Sequence, residues 1–187
     1  MSVEYTEHKA RSADNLALTI HTWRGDSKPI HQLLIVHGYA EHGARYREYA
    51  HYLADRGVHV VAPDLRGHGL SDGRRGHVDD YGEYFLDVEE AKRYLIDGIP
   101  TTLLGHSNGG LIVLDYLSTS DRGFSSAILS NPYLGLALDV PAPKVWAGKF
   151  AGAVLPRLAM PSGLDADGLS HDKEIVKRYR RDPYVFS

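Results

Sequence analysis

Residues 101–117, Thr-Thr-Leu-Leu-Gly-His-Ser-Asn-Gly-Gly-Leu-Ile-Val-Leu-Asp-Tyr-Leu, organise the rest of the chain. The β-branched and apolar run Thr101–Leu104 is typical of a strand. A glycine-rich turn follows it, and then an apolar run long enough for a buried helix. In so tight a turn, Gly105 and Gly109 must lack side chains to avoid clashes. The segment predicts a strand, a sharp turn and a helix, with Ser107 exposed at the carboxyl end of the strand.

Ser107 is a candidate nucleophile. The backbone N–H of Asn108 lies at the start of the helix, where unpaired donors and the helix dipole favour negative charge developing on a substrate oxygen. A nucleophile and half an oxyanion hole are therefore expected side by side. A Gly-x-Ser-x-Gly match can also arise by chance in a chain with 19 glycines, so the flanking elements must support this interpretation.

Short apolar strands alternate with amphipathic helices along the chain. Further strands are predicted at residues 16–23, 32–36, 58–62 and 126–130. Further helices are predicted at residues 46–54, 81–95 and 173–179. Gly57 ends the first of these helices, Asp79 or Asp80 caps the second, and Ser170 or Asp172 caps the third. The alternation indicates βαβ units and predicts an α/β fold, a mostly parallel sheet with helices on both faces.

Three loops follow carboxyl ends of predicted strands and should open on one crevice: His37-Gly38-Tyr39, Asp64–His68 and Ser107. The N–H of Tyr39 can supply a second oxyanion donor beside that of Asn108, and two donors suit a tetrahedral acyl intermediate. Without a nucleophile nearby, His37-Gly38 would be interpreted as a turn with a satisfied histidine. The Asp64–His68 loop is expected to brace the crevice.

The pattern changes after residue 133, which predicts a core at residues 1–133 and a cap or lid at residues 134–187. Residues 144–160 form a helix-like pattern with Trp146 among its apolar positions. One interpretation is an ordinary helix packed on the core. The other is a mobile apolar cap that covers the crevice and makes transient contact with a membrane surface.

Composition argues against several classes of protein. The 21 basic and 24 acidic residues form no long run of one sign, which argues against a nucleic-acid surface. The absence of cysteine excludes disulfides and thiolate metal sites. No histidines and carboxylates have the spacing of metal ligands, so we expect neither a metal nor a cofactor. No signal peptide or membrane span is recognisable, and we expect a cytoplasmic protein.

The three loops resemble the hallmark loops of the α/β-hydrolase superfamily, and they fit best its branch of monoacylglycerol lipases and lysophospholipases. The matching motifs are His37-Gly-Tyr-Ala-Glu-His42, Asp64-Leu-Arg-Gly-His-Gly-Leu-Ser71 and Gly105-His-Ser-Asn-Gly-Gly110. The resemblance continues into the cap region at Leu155-Pro156, Leu169-Ser170 and Tyr184. It therefore spans nearly the whole chain.

This resemblance implies that Ser107 is the acyl nucleophile and that the N–H groups of Tyr39 and Asn108 form the oxyanion hole. The implied substrate is a small lipid ester. The family usually has methionine after the serine, where this chain has Asn108. Because the donor is a backbone group, the change should spare the chemistry and alter the polarity of the pocket.

A serine hydroxyl becomes a good nucleophile when a histidine accepts its proton and a carboxylate orients that histidine. In this fold both partners follow the serine in the chain. His171 is the only histidine after Ser107, and Asp165, Asp167 and Asp172 lie near it in the sequence. A triad of Ser107, His171 and either Asp165 or Asp167 can therefore be drawn. Such a triad would crowd acid and base into one cap loop, where the family has no catalytic base.

We therefore expect these residues to be the amino-terminal part of a longer hydrolase, without the last strands that bear the acid and the histidine. A sheet without them exposes an unpaired edge, which a second chain or a second copy is expected to cover.

The leading hypothesis is a serine carboxylic-ester hydrolase that acts on monoacylglycerols or lysophospholipids through an acyl-Ser107 intermediate. One alternative is a catalytically incomplete fragment or binding module that kept the turn but lacks the base. Another is an acyltransferase or serine peptidase on the same fold.

Overall fold

The computed structural model describes residues 2–119, 123–135, 145–146, 154 and 166–186. Its strands are β1 (Val3–Arg11), β2 (Ala17–Gly25), β3 (His31–Val36), β4 (Val58–Asp64), β5 (Thr101–His106) and β6 (Ser126–Ser130). Its longer helices are α1 (Arg47–Ala54), α2 (Glu83–Lys92), α3 (Asn108–Thr119) and α4 (Lys173–Arg181). No helix within these ranges is long and apolar enough to cross a membrane.

The six strands form one sheet in the order β1-β2-β4-β3-β5-β6. The four strands from β4 to β6 are parallel, and β2 and β1 extend the sheet in antiparallel pairing. This confirms the predicted α/β fold. Strand β1 is not predicted by the sequence pattern, because most of its side chains are polar and at least partly exposed. Its full-length pairing with β2 holds it in the sheet.

Helices cover both faces of the sheet at its inner strands, where side chains alternate between two buried clusters. In β3, Leu34 and Val36 join the core cluster that includes residues of α2 and α3. Leu33 and Ile35 join a second cluster, which includes Ala50 of α1. The parallel strands between these layers bring the loops at their carboxyl ends to one side of the sheet.

Two of the predicted caps have different outcomes. The cap predicted for α2 is wrong: the helix begins after Gly82 without a side-chain cap, and Asp80 instead accepts a hydrogen bond from the Gly82 N–H at 2.7 Å. Asp80 therefore closes the turn before the helix, two residues too early to act as its cap. For α4 the cap is Asp172, which accepts from the Glu174 N–H at 2.9 Å. The helix predicted at residues 144–160 lies mainly outside the described residues.

The chain divides into two compact units, Met1–Tyr133 with Pro183–Phe186, and Leu134–Asp182. Residues 183–186, which the sequence pattern groups with the predicted cap, belong to the unit that contains the sheet. In that unit β6 pairs with β5 alone among the described strands, and all five β6 residues are exposed. The described sheet therefore has the exposed edge that the sequence predicts.

Candidate active site

Ser107 joins β5 to α3 with a left-handed backbone, φ 52°. This conformation costs a non-glycine residue about 1–2 kcal/mol, so the surroundings must impose it. A Cβ on Gly105 would lie 2.4 Å from the carbonyl oxygen of Gly109, and a Cβ on Gly109 would lie 2.1 Å from that of Val36. The predicted strand, sharp turn and helix are observed, and the two glycines allow them to meet this closely.

Backbone hydrogen bonds hold the Ser107 turn on two sides. The Ser107 N–H donates to the carbonyl of Ser130 at the end of β6, at 3.0 Å. The Ser107 carbonyl accepts from the N–H of Gly110 in α3 at 3.0 Å and from that of Tyr133 at 2.9 Å. The position of the serine backbone therefore depends on α3 and on the segment that follows β6.

The loop after β3 lies directly against this turn. A Cβ on Gly38 would be 3.2 Å from the Cβ of Ser107, so the sheet brings together two of the predicted site segments. The Gly38 N–H donates to Glu41 Oε1 at 2.7 Å, and the Gly38 carbonyl accepts from His37 Nδ1 at 2.7 Å. Ala40 is fully buried and left-handed, with φ 62°. Both segments thus carry a non-glycine residue in a strained conformation.

His37 is a satisfied structural histidine. Its side chain is fully buried, and its Nε2 accepts a hydrogen bond from the Leu65 N–H at 3.0 Å. The proton therefore resides on Nδ1, which donates to Gly38. Burial lowers the pKa of His37, which favours this neutral form. Because both ring nitrogens are occupied, His37 positions the loop and is not available as a base.

The two predicted oxyanion donors are both unpaired. In the described part of the chain, the N–H groups of Tyr39 and Asn108 donate no hydrogen bond to another protein group. Each is therefore available to an oxygen of a bound molecule. The side chain of Asn108 has a separate contact, since its Oδ1 accepts from the Tyr81 hydroxyl at 3.1 Å. One polar atom of the Asn108 side chain thus has a hydrogen-bond partner in Tyr81, which lies just before α2.

Asp64 braces the loops beside the site from the end of β4. Its buried carboxylate accepts from His21 Nε2 at 3.1 Å, from the Gly43 N–H at 2.8 Å and from the Leu70 N–H at 2.8 Å. Burial works to raise the pKa of Asp64, but the hydrogen bonds from His21 and from the Leu70 N–H act with nearby histidines in the opposite direction, and the pKa is lowered. His21 Nδ1 lies 2.9 Å from the Tyr5 hydroxyl. This histidine–aspartate pair is structural, because both nitrogens of its ring are engaged.

Arg66 links three parts of the core unit. Its buried guanidinium donates to Asp14 before β2, to Glu83 and to Asp87, each at 2.8 to 3.0 Å. The hydrogen bond from Arg66 lowers the pKa of Asp14 to about 2. Burial raises the pKa of Asp87 to about 6, and the bonds from Arg66 oppose a further rise. The loop after β4 is thus braced as the sequence predicts, through partners that the sequence analysis did not identify.

Pro183–Phe186 pack against the loop after β3, a contact that no local pattern predicts. The Phe186 ring lies 5.6 Å from the Tyr39 ring and 5.3 Å from the His68 ring, centroid to centroid. The Phe186 N–H donates to the carbonyl of Ala40 at 3.4 Å. Burial lowers the pKa of His68 to about 3, so this imidazole is neutral among the aromatic rings.

The Ser107 hydroxyl has no hydrogen-bonded histidine among the described residues of the core unit. The adjacent His106 uses Nδ1 to contact Ser130 at 3.1 Å. Within the described ranges, no group of three or more histidine, aspartate or glutamate side chains could hold a metal ion.

The remaining triad candidates belong to the other unit. His171 precedes α4, where Asp172 is the helix cap. Asp167 accepts from Arg180 at 2.6 Å. Both carboxylates therefore have structural partners of their own. Asp165 lies outside the described residues.

The fold and the turn define the class of the protein: it is an α/β-hydrolase. A solved structure, the monoacylglycerol lipase of Paleococcus ferrophilus, matches it with a TM-score of 0.74 and 31% identity. The match covers 99% of this chain and 64% of that chain.

The family described as "Serine aminopeptidase, S33" matches residues 27–187, and the chain belongs to this family. The monoacylglycerol lipase of Mycolicibacterium smegmatis is 33% identical over 183 residues, which are 96% of this chain and 65% of the relative. Phospholipase YtpA of Bacillus subtilis is 32% identical over 164 residues, 86% of this chain and 62% of the relative. The chain thus spans less than two thirds of the length of these relatives.

Proposed function

We propose that this protein is a serine carboxylic-ester hydrolase that acts on monoacylglycerols or lysophospholipids. The observation that carries the proposal is the closeness of Gly38 to Ser107, since a Cβ on Gly38 would lie 3.2 Å from the Ser107 Cβ. It supports a site in which the loop with the Tyr39 N–H lies beside the proposed nucleophile. The strained turn and the unpaired donors are arranged for attack on an ester carbonyl.

In this mechanism the Ser107 hydroxyl loses its proton to a base, and its oxygen attacks the ester carbonyl. The N–H groups of Tyr39 and Asn108 stabilise the negative oxygen of the tetrahedral intermediate. The bond to the alcohol then breaks, the alcohol leaves with a proton, and the acyl group remains on Ser107. Water attacks this acyl ester in the second half-reaction, which releases the fatty acid and restores the serine.

The lipid substrate is proposed from two sources. The relatives include proteins named monoacylglycerol lipase and phospholipase. In the unit Leu134–Asp182, the side chains of Trp146 and Val154 are largely exposed, as expected for a cap that contacts lipid. We propose that this unit is the cap and that it makes transient contact with a membrane surface.

The mechanism needs a base that accepts the Ser107 proton and an acid that orients this base. His171 with Asp167 is one source, and a further segment or a second chain at the β6 edge is the other. A second candidate function follows because no histidine among the described core residues is hydrogen-bonded to Ser107: a binding module that retains the turn without turnover. An acyltransferase or peptidase would use the same acyl-enzyme with a different acceptor or substrate, and product analysis with alcohols and amines distinguishes them.

The decisive experiment is the intact mass of the purified protein before and after exposure to a fluorophosphonate, which labels activated serines. We expect one adduct on the chain of 20.7 kDa and none on the Ser107→Ala variant. Turnover of a monoacylglycerol should be lost in the same variant, with its circular dichroism unchanged. No adduct on a folded wild-type chain would rule out His171 with Asp167 as the base and acid, and would leave the binding module or a base from a further segment or a second chain. Turnover by Ser107→Ala would refute the assignment of the nucleophile.

A further inference from the structure

We infer that Glu41 is a positioning residue for the oxyanion hole: its carboxylate holds Gly38 so that the next peptide group keeps the Tyr39 N–H in one orientation. The inference rests on the proposed function and adds to it a residue to which neither the motif nor the comparisons assign a role. Glu41 lies in the motif His37–His42, four residues after the histidine that supports the same loop.

The Glu41 carboxylate is mostly buried and makes three hydrogen bonds. Its Oε1 accepts from the Gly38 N–H at 2.7 Å and from the Tyr46 hydroxyl at 3.0 Å, and its Oε2 accepts from Arg45 Nε at 3.3 Å. The bond from the Gly38 N–H to the carboxylate is short and charge-assisted, so it is a strong restraint on the loop. Burial and the charge of Glu41 raise the pKa of Tyr46, so this hydroxyl keeps its proton and remains a donor.

Gly38 is the residue whose conformation has to be set. It lacks a side chain that would restrict its two dihedral angles, and a Cβ there would lie 3.0 Å from Glu41 Oε1 and 3.2 Å from the Cβ of Ser107. A side chain at this position would therefore be crowded, and the chain has glycine, the most flexible residue type, where the loop meets the turn of Ser107. Hydrogen bonds must therefore restrict the backbone conformation of Gly38, because it has no side chain to do so.

Two side chains supply those bonds on opposite sides of Gly38. His37 Nδ1 donates to the Gly38 carbonyl at 2.7 Å, and this carbonyl belongs to the same peptide group as the Tyr39 N–H. In a trans peptide the C=O and the N–H point in opposite directions, so the Tyr39 N–H points away from His37. Glu41 fixes the preceding peptide group through the Gly38 N–H. Without Glu41, Gly38 can rotate about its own bonds and carry the Tyr39 N–H with it.

The hydrogen bond between the Gly38 N–H and Glu41 also determines which backbone N–H of the loop is available as the oxyanion donor. Because the Gly38 N–H already donates to Glu41, it is occupied and does not compete for the substrate oxygen. The next N–H along the loop, that of Tyr39, is unpaired among the described residues. Loss of Glu41 therefore has two consequences, since the Tyr39 N–H loses its orientation and the Gly38 N–H becomes a misplaced donor.

Kinetics of Glu41→Ala and Glu41→Gln test the inference. Both Gly38 and Tyr46 donate to Oε1, so the single carbonyl oxygen of glutamine can accept both bonds. For hydrolysis of a short-chain ester we expect kcat to fall roughly 10- to 100-fold in Glu41→Ala, with KM within about 3-fold of the wild type. Glu41→Gln should recover kcat to within about 3-fold. Glu48→Gln, a neighbouring acid in the first turn of α1, is the matched control and should leave kcat unchanged.

A role in stability alone would lower the melting temperature of Glu41→Ala without changing kcat per serine labelled by the fluorophosphonate. An unchanged kcat on this basis, or a Glu41→Gln variant as impaired as Glu41→Ala, would overturn the inference.

A second readout does not depend on turnover. The amide proton of Gly38, in its short bond to a carboxylate, should resonate far downfield in the proton–nitrogen NMR spectrum of the wild type. It should shift upfield in Glu41→Ala, with faster hydrogen exchange at Gly38, and should remain in place in Glu48→Gln. A wild-type chain without esterase activity would contradict the proposed function, and this spectrum would still test Glu41. An unchanged Gly38 resonance in Glu41→Ala would overturn the inference.

Discussion

Replacement of Arg66 with methionine is expected to destabilise the core unit severely. The Arg66 side chain is 3% exposed and donates to Asp14, Glu83 and Asp87. Asp87 is fully buried, so removal of the guanidinium leaves its charge without a partner inside the protein. Removal of one member of a buried ion pair costs about 3–5 kcal/mol. That is a large part of the roughly 5–15 kcal/mol by which domains are stable.

The loss should depend on pH in a defined direction. Burial raises the pKa of Asp87 from 3.8 to about 6 in the folded protein. A carboxyl group whose pKa is higher in the folded protein than in the unfolded chain stabilises the fold fully at pH values below the unfolded pKa. This contribution to stability is lost as the pH rises through the folded pKa. In Arg66→Met the folded pKa rises further, because the opposing hydrogen bonds are gone. The difference between variant and wild type should therefore be largest at pH 7 and about 1 kcal/mol or more smaller at pH 5.

Urea unfolding followed by circular dichroism, at pH 7 and pH 5, measures both quantities. The control is Arg93→Met, which removes a pair with Glu90 at 3.2 Å from a side chain that is 74% exposed. This control should change the free energy of unfolding by less than about 0.5 kcal/mol. A loss below about 1 kcal/mol in Arg66→Met at pH 7, or equal losses at the two pH values, would refute the reasoning.

Two further predictions concern buried groups near the site. Burial lowers the pKa of His68 to about 3 from 6.5, so its contribution to stability is complete above pH 6.5 and is lost as pH falls. Between pH 7 and pH 5, the free energy of unfolding measured with urea should therefore fall by about 2 kcal/mol less in His68→Gln than in the wild type. Equal falls in the two proteins would contradict this prediction. Helix propensity alone predicts that Gly109→Ala raises the free energy of unfolding by about 1 kcal/mol. The new Cβ would, however, lie 2.1 Å from the Val36 carbonyl oxygen. We therefore expect a net loss of about 1–3 kcal/mol. Gly135→Ala, whose new Cβ has no atom of the described residues within 4 Å, should be near neutral in the same thermal melts. Equal effects of both substitutions would argue against the clash.

Much of the fold could be predicted because its signals are local. Apolar runs such as Gln32–Val36 and Val58–Ala62 predicted strands that the structure contains, since burial on both faces leaves a continuous apolar pattern. Strand β1 was missed because an edge strand is held by its ladder of backbone hydrogen bonds and needs few apolar side chains. The cap of α2 was mispredicted because an aspartate shortly before a helix can accept a hydrogen bond from the turn that precedes the helix, as Asp80 does from the Gly82 N–H.

The candidate site was predictable only in part. Its segments were identified from glycines next to Ser107 and from the motif His37–His42, because steric restrictions operate between neighbours in the chain. The occupied Gly38 N–H and its partner Glu41 were not identified, although both lie in that motif. A motif states which residues are present, whereas the hydrogen bonds between them depend on how the loop closes.

The sequence by itself determined the turn at Ser107. Its glycines permit the close approach of β5 and α3, and this requirement is visible in the letters. Only the tertiary structure decided that His37 is neutral with its proton on Nδ1, that Arg66 joins three carboxylates, and that residues 183–186 pack on the loop after β3. The physical reason is that protonation, ion pairing and ring packing are set by neighbours in space, and here those neighbours are distant in the chain.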